Sequence, residues 1–267
     1  MLRIYQRLWQ VNWAEQWQYR ANLIMYLAYW LVAPVVYLAV WSTIARSQSS
    51  GSVGGLTVND FVTYYMTLLI VDQLTSEITI HLLAYKIQDG TLSGELIRPI
   101  HPILTNTLMN NLAFKALTIM ALVPVWIVLW FLFRPDYSSV TLQNILVALP
   151  AILMGFSVSF LLGATITCVA FWTTRVFALS EFYWALATMF SGQFVPLQLM
   201  PKLIQQIAGY LPFAMFKYIP IEIILGRLSG QEILRAYAIG AIWLAISILL
   251  FRWMWREGLK KFSAVGA

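Results

Sequence analysis

The stretch Ala21–Ala45, ANLIMYLAYWLVAPVVYLAVWSTIA, runs 25 residues without one charged side chain. A helix needs about 20 mostly apolar residues to cross about 30 Å of hydrocarbon, so this run is long enough to span a bilayer. It is too long for the core of a signal peptide, and no A-x-A-like cleavage site follows it. The N-terminus is therefore expected to be retained. The rest of the chain is of the same kind: 60% of the residues are hydrophobic, 10% are charged, and the mean hydropathy is +0.73. Soluble domains average about 45–50% and about 25% for the same two classes. The 12 Trp, 13 Tyr and 15 Phe exclude disorder, and a single Cys excludes a disulfide scaffold. An all-α integral membrane protein remains.

Five more apolar runs follow. Phe61–Tyr85 is interrupted by Asp72, Glu77 and His81, and Ile103–Phe133 contains only Lys115. Leu142–Phe171, Phe182–Met200 and Ala236–Phe251 complete a count of six transmembrane helices in one domain, residues 1–267. Between the last two, the region 201–231 is apolar yet broken by Pro201, Pro212 and Pro220. Proline interrupts helices, so this region is expected to form short helices dipping into the outer leaflet, with a seventh span as the runner-up.

Orientation follows from Lys and Arg. With six spans, Arg3, Arg7, Arg20, Lys86, Arg98, Arg175, Arg252, Arg256, Lys260 and Lys261 share one side. Arg46, Arg134, Lys202, Lys217, Arg227 and Arg235 share the other. The positive-inside rule puts both termini in the cytoplasm of a cell whose plasma (inner) membrane holds the chain. These basic residues flank apolar spans, so they do not imply nucleic acid.

Residues 2–20, LRIYQRLWQVNWAEQWQYR, place Leu2, Tyr5, Trp9, Trp13 and Trp17 on one helical stripe, with Arg3 and Arg7 outside it. Such a helix lies in the interface, indoles at headgroup level, as a simple anchor or as a lever to a cytoplasmic partner. The loop 84–102, AYKIQDGTLSGELIRPIHP, has Gly90 and Gly94 for turns and Pro99 and Pro102 as fences. Thr91–Arg98 is expected to form a short helix showing Leu92 and Leu96 on one face; otherwise it is a solvated connector.

Ionisable groups inside spans are expensive and need partners or a watery cavity. Glu77 and His81 are one turn apart, whereas Asp72 lies on a different stripe from Glu77. Lys115 on the returning third span is placed to pair with Glu77 or His81. Three readings stay open: a structural ion pair, a site for a cationic substrate, and a position at the lipid interface. For the second, Tyr64, Tyr65, Trp184 and Phe190 could supply aromatic faces for cation–π contact. Cys168 reads as packing, His101 as a solvated loop residue, and Asn110, Asn111, Ser157, Ser159 and Thr165 as hydrogen bonds between spans.

The interfacial helix, six spans and the broken segment before the last one resemble an ABC-2-type transporter permease. Gly90-Thr-Leu-Ser-Gly-Glu-Leu-Ile-Arg-Pro99 resembles the G-x-L … L-x-R-P loop of a branch that includes viologen exporter permeases. The resemblance implies a membrane-spanning exporter subunit for a hydrophobic or cationic compound such as a viologen or another drug. It implies as partners two ABC ATPase subunits and a second permease, identical or homologous. It makes the loop a coupling helix docked on the ATPase, carried by Asp89, Gly90, Leu92, Glu95, Leu96, Arg98 and Pro99.

The sequence contains no G-x-x-x-x-G-K-[ST], so ATP and its Mg belong to the partner ATPase, and no cofactor or metal is assigned to this chain. It also contains no H-E-x-x-H, and Gly155-Phe-Ser-Val-Ser159 does not complete G-x-S-x-G, which argues against an intramembrane enzyme. The remaining alternative is an ion-coupled secondary transporter acting without an ATPase. Its usual internal repeat is not visible between the two halves.

Overall fold

The computed structural model describes residues 2–18 and 20–262; residues 1 and 19 of the expected interfacial helix lie outside the described residues. Helix α1 (Leu2–Gln18) is followed by α2 (Arg20–Ser47), a two-residue hairpin of β1 (Ser52–Val53) and β2 (Leu56–Thr57), and α3 (Val58–Thr75). The hairpin turns at Gly54 and Gly55, whose φ values of 55° and 85° lie where a side chain is disfavoured. Next come α4 (Thr79–Gln88), the short α5 (Leu92–Leu96), a π-helical turn Ile103–Leu108, α6 (Met109–Phe133) and α7 (Leu142–Cys168). The chain closes with α8 (Val176–Phe190), α9 (Lys202–Tyr210), a 3-10 helix Pro212–Phe216, α10 (Tyr218–Ile224) and α11 (Gly230–Leu259). The molecule is an all-α membrane protein.

Five stretches are long and apolar enough to cross a bilayer: Met25–Ser47, Val58–Gln88, Ile103–Phe133, Leu142–Phe171 and Gly230–Leu259. The expected fifth span, Phe182–Met200, is displaced. The shorter apolar helix α8 starts earlier and stops at Phe190, where Ser191 and Gly192 (φ 80°) turn the chain. At about 1.5 Å per residue, its 15 residues reach about 22 Å. Between α8 and α11 each helix is too short to cross, so the runner-up seventh span is absent among the described residues.

The arrangement of spans follows the cost of polar groups in lipid. Val58–Gln88 has the lowest mean hydropathy of the five, 1.2, and is 67% buried, against 11–33% for the other four. The least apolar span is thus enclosed by the others, with α2, α6 and α7 packed on α3. Phe61, Tyr64, Tyr65, Met66 and Leu68 of α3 form the centre of the largest apolar cluster.

Helix α1 and the last turns of α11 lie at one end of the bundle. There α1 packs on the start of α6, the His101 ring lies 4.9 Å from Trp255, and Phe171 meets Phe262. His101 is exposed, as expected of a solvated loop residue, and one side of its ring rests against Phe251 and Trp255, an apolar contact that lowers its pKa by desolvation. The opposite end gathers the hairpin, the 134–141 loop and the 191–229 region. Ser139 Oγ donates to the Leu225 carbonyl, and the Asp136 amide donates to Thr63 Oγ1 at 3.0 Å.

The 3-10 helix Pro212–Phe216 is seated on α7 at Gly155, where an added Cβ would fall 2.4 Å from the Met215 carbonyl oxygen. That oxygen is backbone and cannot rotate away. Gly155→Ala is therefore expected to cost about 1–3 kcal/mol as overpacking, read as a lowered thermal midpoint in detergent.

Candidate functional site

The second span is not one helix. It stops at Thr75 and restarts at Thr79, leaving Ser76, Glu77 and Ile78 unwound inside the membrane-crossing stretch. The local sequence Thr75-Ser-Glu-Ile-Thr-Ile80 supplies β-branched and hydroxyl side chains, which are weak helix formers and compete for backbone bonds. Backbone groups freed in this way have no water to bond with in hydrocarbon, so protein must satisfy them.

Two side chains of α6 and one within the break do so. Lys115 Nζ donates to the Gln73 carbonyl at 2.9 Å and also to the Ser76 carbonyl, closing the C-terminal end of α3. The Ile78 amide donates to Asn111 Oδ1 at 3.0 Å, and the Thr79 amide donates to Glu77 Oε2 at 2.5 Å. A cation thus closes the carbonyl end of α3 and a carboxylate closes the amide end of α4, the arrangement that the helix dipoles favour. Lys115 also lies 4.9 Å from the ring centroid of Phe156 on α7. Glu77 lies close against α7 at Gly163, where a Cβ would fall 2.5 Å from Glu77 Oε1 and force the carboxylate to shift. The expected contact of Lys115 with Glu77 or His81 is not formed; among the described residues Lys115 bonds backbone carbonyls.

Asp72, one turn before the break, has a different partner. Lys217 Nζ reaches Asp72 Oδ1 at 2.7 Å and donates to Gln193 Oε1 at 2.5 Å, so the buried pair ties the 191–229 region to α3. Tyr64 and Tyr65 serve the same purpose, their hydroxyls donating to the carbonyls of Gly192 (2.8 Å) and Phe194 (2.9 Å). Arg227 adds a third tie, 2.6 Å from Asp60 and 3.8 Å from Glu222. Lys217, Glu222 and Arg227 are charges in an apolar segment of the sequence, which does not reveal their partners. The available signal was two acids on α3, Asp60 and Asp72, and the bases Lys217 and Arg227 in the 191–229 region.

The remaining candidates stand apart. His81 is exposed on α4 and stacks on Phe177 of α8, ring centroids 5.6 Å apart. Trp184 is half-buried against Tyr183, and Phe190 stacks on Phe213. The structure therefore brings Asp72, Glu77 and Lys115 to the helix break, and places Tyr64 and Tyr65 further along α3 as buried tethers. Asn111 bonds between spans as expected, whereas Ser157 and Thr165 donate to carbonyls of their own helix.

Beyond the break, α4 leads directly into the 84–102 loop. Gly90 turns the chain with φ 75°, and α5 follows. Leu92 is fully buried, Glu95 is turned inward to meet Lys86 at 2.8 Å, and Leu96 is half-buried against the same apolar cluster. The expected exposed face of Leu92 and Leu96 is thus an inner face. The outward residues are Asp89, Arg98, Pro99 and Ile97, the last 87% exposed.

The sequence profile of ABC-2 family transporter proteins matches residues 31–266, most of the chain. The chain belongs to the ABC-2 transporter family. Comparison of the transporter with curated proteins gives no match. Membership makes it the multi-pass membrane subunit of a transporter that works with ABC ATPase partners. The broken span and the exposed loop are the parts of this transporter subunit that join its membrane core to its surface.

Removing the Lys115 ammonium leaves two carbonyls of the break without a donor. Lys115→Met is expected to cost about 1–3 kcal/mol for each buried group left unpaired, whereas Glu77→Gln keeps an oxygen able to accept from Thr79 and costs less. Thermal unfolding of the purified variants in detergent checks that order.

Proposed function

We propose that the chain is the permease subunit of an ABC exporter, forming the substrate path with a second permease and driven by two ATPase subunits. The observation that carries this reading is the continuity of α4 between the helix break and the 84–102 loop. Ten residues of helix, about 15 Å, separate an unwound segment among buried charges from an exposed apolar tip. With the positive-inside orientation, that tip, Asp89 to Pro99, is cytoplasmic and docks on the ATPase. Closure of the ATPase subunits pushes on the tip and on α1, and α4 transmits the push to the break. There α4 pivots against α3, because the unwound backbone 76–78 and, among the described residues, side-chain bonds from Lys115, Asn111 and Glu77 join the two halves.

A cationic or hydrophobic cargo such as a viologen fits the buried carboxylates of the second span and the aromatic side chains around it. The ion-coupled alternative lacks comparable support: the carbonyl end of the broken helix, where a coupling cation would be held, is filled by the Lys115 ammonium.

Two measurements test the reading. Co-purification from native membranes is expected to bring an ABC ATPase and a second permease with the chain. In inverted vesicles, ATP-dependent uptake of methyl viologen is expected to fall at least about tenfold in Ile97→Asp with normal insertion, since a charge in a docking hot spot costs about 2 kcal/mol or more. Uptake driven by a proton gradient with no ATPase present would sink the proposal. Full export by both Asp72→Asn and Glu77→Gln would remove those residues from the substrate path.

A further inference from the structure

We propose that the crevice between α1 and α6 is a binding site for one anionic phospholipid from the leaflet facing the end where α1 and the last turns of α11 lie. Helix α1 is fixed over the start of α6. Asn12 is buried at the contact, and Gln16 Nε2 donates to Asn110 Oδ1 at 3.3 Å. On one side of this contact a cavity of about 610 Å³ opens, with Tyr5 and Trp9 of α1 facing Met109 and Leu112 of α6. Gln6 and Gln10 form its rim. The same two glutamines line an adjoining cavity of about 390 Å³, whose other walls are Arg3 and Arg7.

Around α1, over two helical turns, the surface therefore passes from guanidinium through amide to aromatic side chains and on to the aliphatic ones of α6. That order matches an amphiphile with an anionic phosphodiester, ester linkages that accept hydrogen bonds, and an alkyl chain. The charge is available for a ligand. Arg3 and Arg7 are exposed and have no carboxylate within 4 Å among the described residues, and residues 2–14 contain no acid. Arg7 donates only to Gln10 Oε1, at 3.3 Å. Depth is matched as well, since α1 carries the stacked rings of Trp9 and Trp13, 5.8 Å apart, and indoles favour the headgroup level. Neither the ATPase nor the cargo enters this inference.

Native mass spectrometry of the full chain in detergent tests the site, with dioleoyl phosphatidylglycerol and dioleoyl phosphatidylcholine added at equal concentration. The wild type is expected to retain one phosphatidylglycerol about tenfold over phosphatidylcholine, the preference two surface cations can supply. Arg3→Gln with Arg7→Gln is expected to bring the ratio close to one. Leu112→Trp, which fills the apolar cleft and leaves both arginines, is expected to lower retention of phosphatidylglycerol at least about fivefold. Equal retention of the two lipids by the wild type, or an unchanged ratio in the double variant, overturns the site. Unchanged retention in Leu112→Trp also overturns it, because the arginines then attract lipid without a cleft.

Discussion

The ammonium of Lys115 reaches the open carbonyl end of α3, and much of the architecture depends on that contact. A transmembrane helix cannot simply stop in hydrocarbon, because the freed amides and carbonyls have no water to bond. Here the Gln73 and Ser76 carbonyls and the Ile78 and Thr79 amides are met by side chains, Lys115 and Asn111 from α6 and Glu77 from the break itself. The donors in turn fix the packing. Lys115 and Asn111 set the register of α6 against α3, and Glu77 lies close against α7 at Gly163. A break that would be unaffordable on the lipid-facing side is stable in the most enclosed span of the bundle.

Seen from this contact, the other charges fall into two groups. Asp72, Lys217, Asp60, Arg227 and Glu222 join α3 to the short helices at the opposite end, while Lys86 and Glu95 hold α5 against α4. Each half of the second span thus carries its own peripheral structure: α3 holds the 191–229 region, and α4 holds the exposed loop. The two halves meet at Ser76–Ile78. A chain so divided is suited to relay a push at one end into a rearrangement at the other, the task that an ATPase-driven membrane subunit must perform.

Much of this was legible in the sequence. Apolar runs flanked by basic residues are enough to place spans, because the hydrocarbon thickness sets their length. Asp72, Glu77 and Lys115 were singled out because charge in lipid is costly wherever the fold puts it. Their partners were not legible. Lys115 could have met Glu77, His81 or a carbonyl, and the choice depended on a helix break that length and hydropathy do not reveal. The end of α8 was misplaced for a related reason: Phe182–Met200 carries no charge, yet Gly192 turns the chain and Tyr64 anchors the turn from another span.

The sequence by itself determined the medium, five of the long apolar crossings and the scarce residues that had to find partners, because each follows from the local free energy of transfer into lipid. Only the tertiary structure decided that the second span is two helices, that Leu92 and Glu95 face inward while Ile97 faces out, and that α1 and α6 enclose a crevice. Those outcomes depend on hydrogen bonds and packing between residues tens to more than a hundred positions apart, and no local pattern encodes which distant side chain arrives.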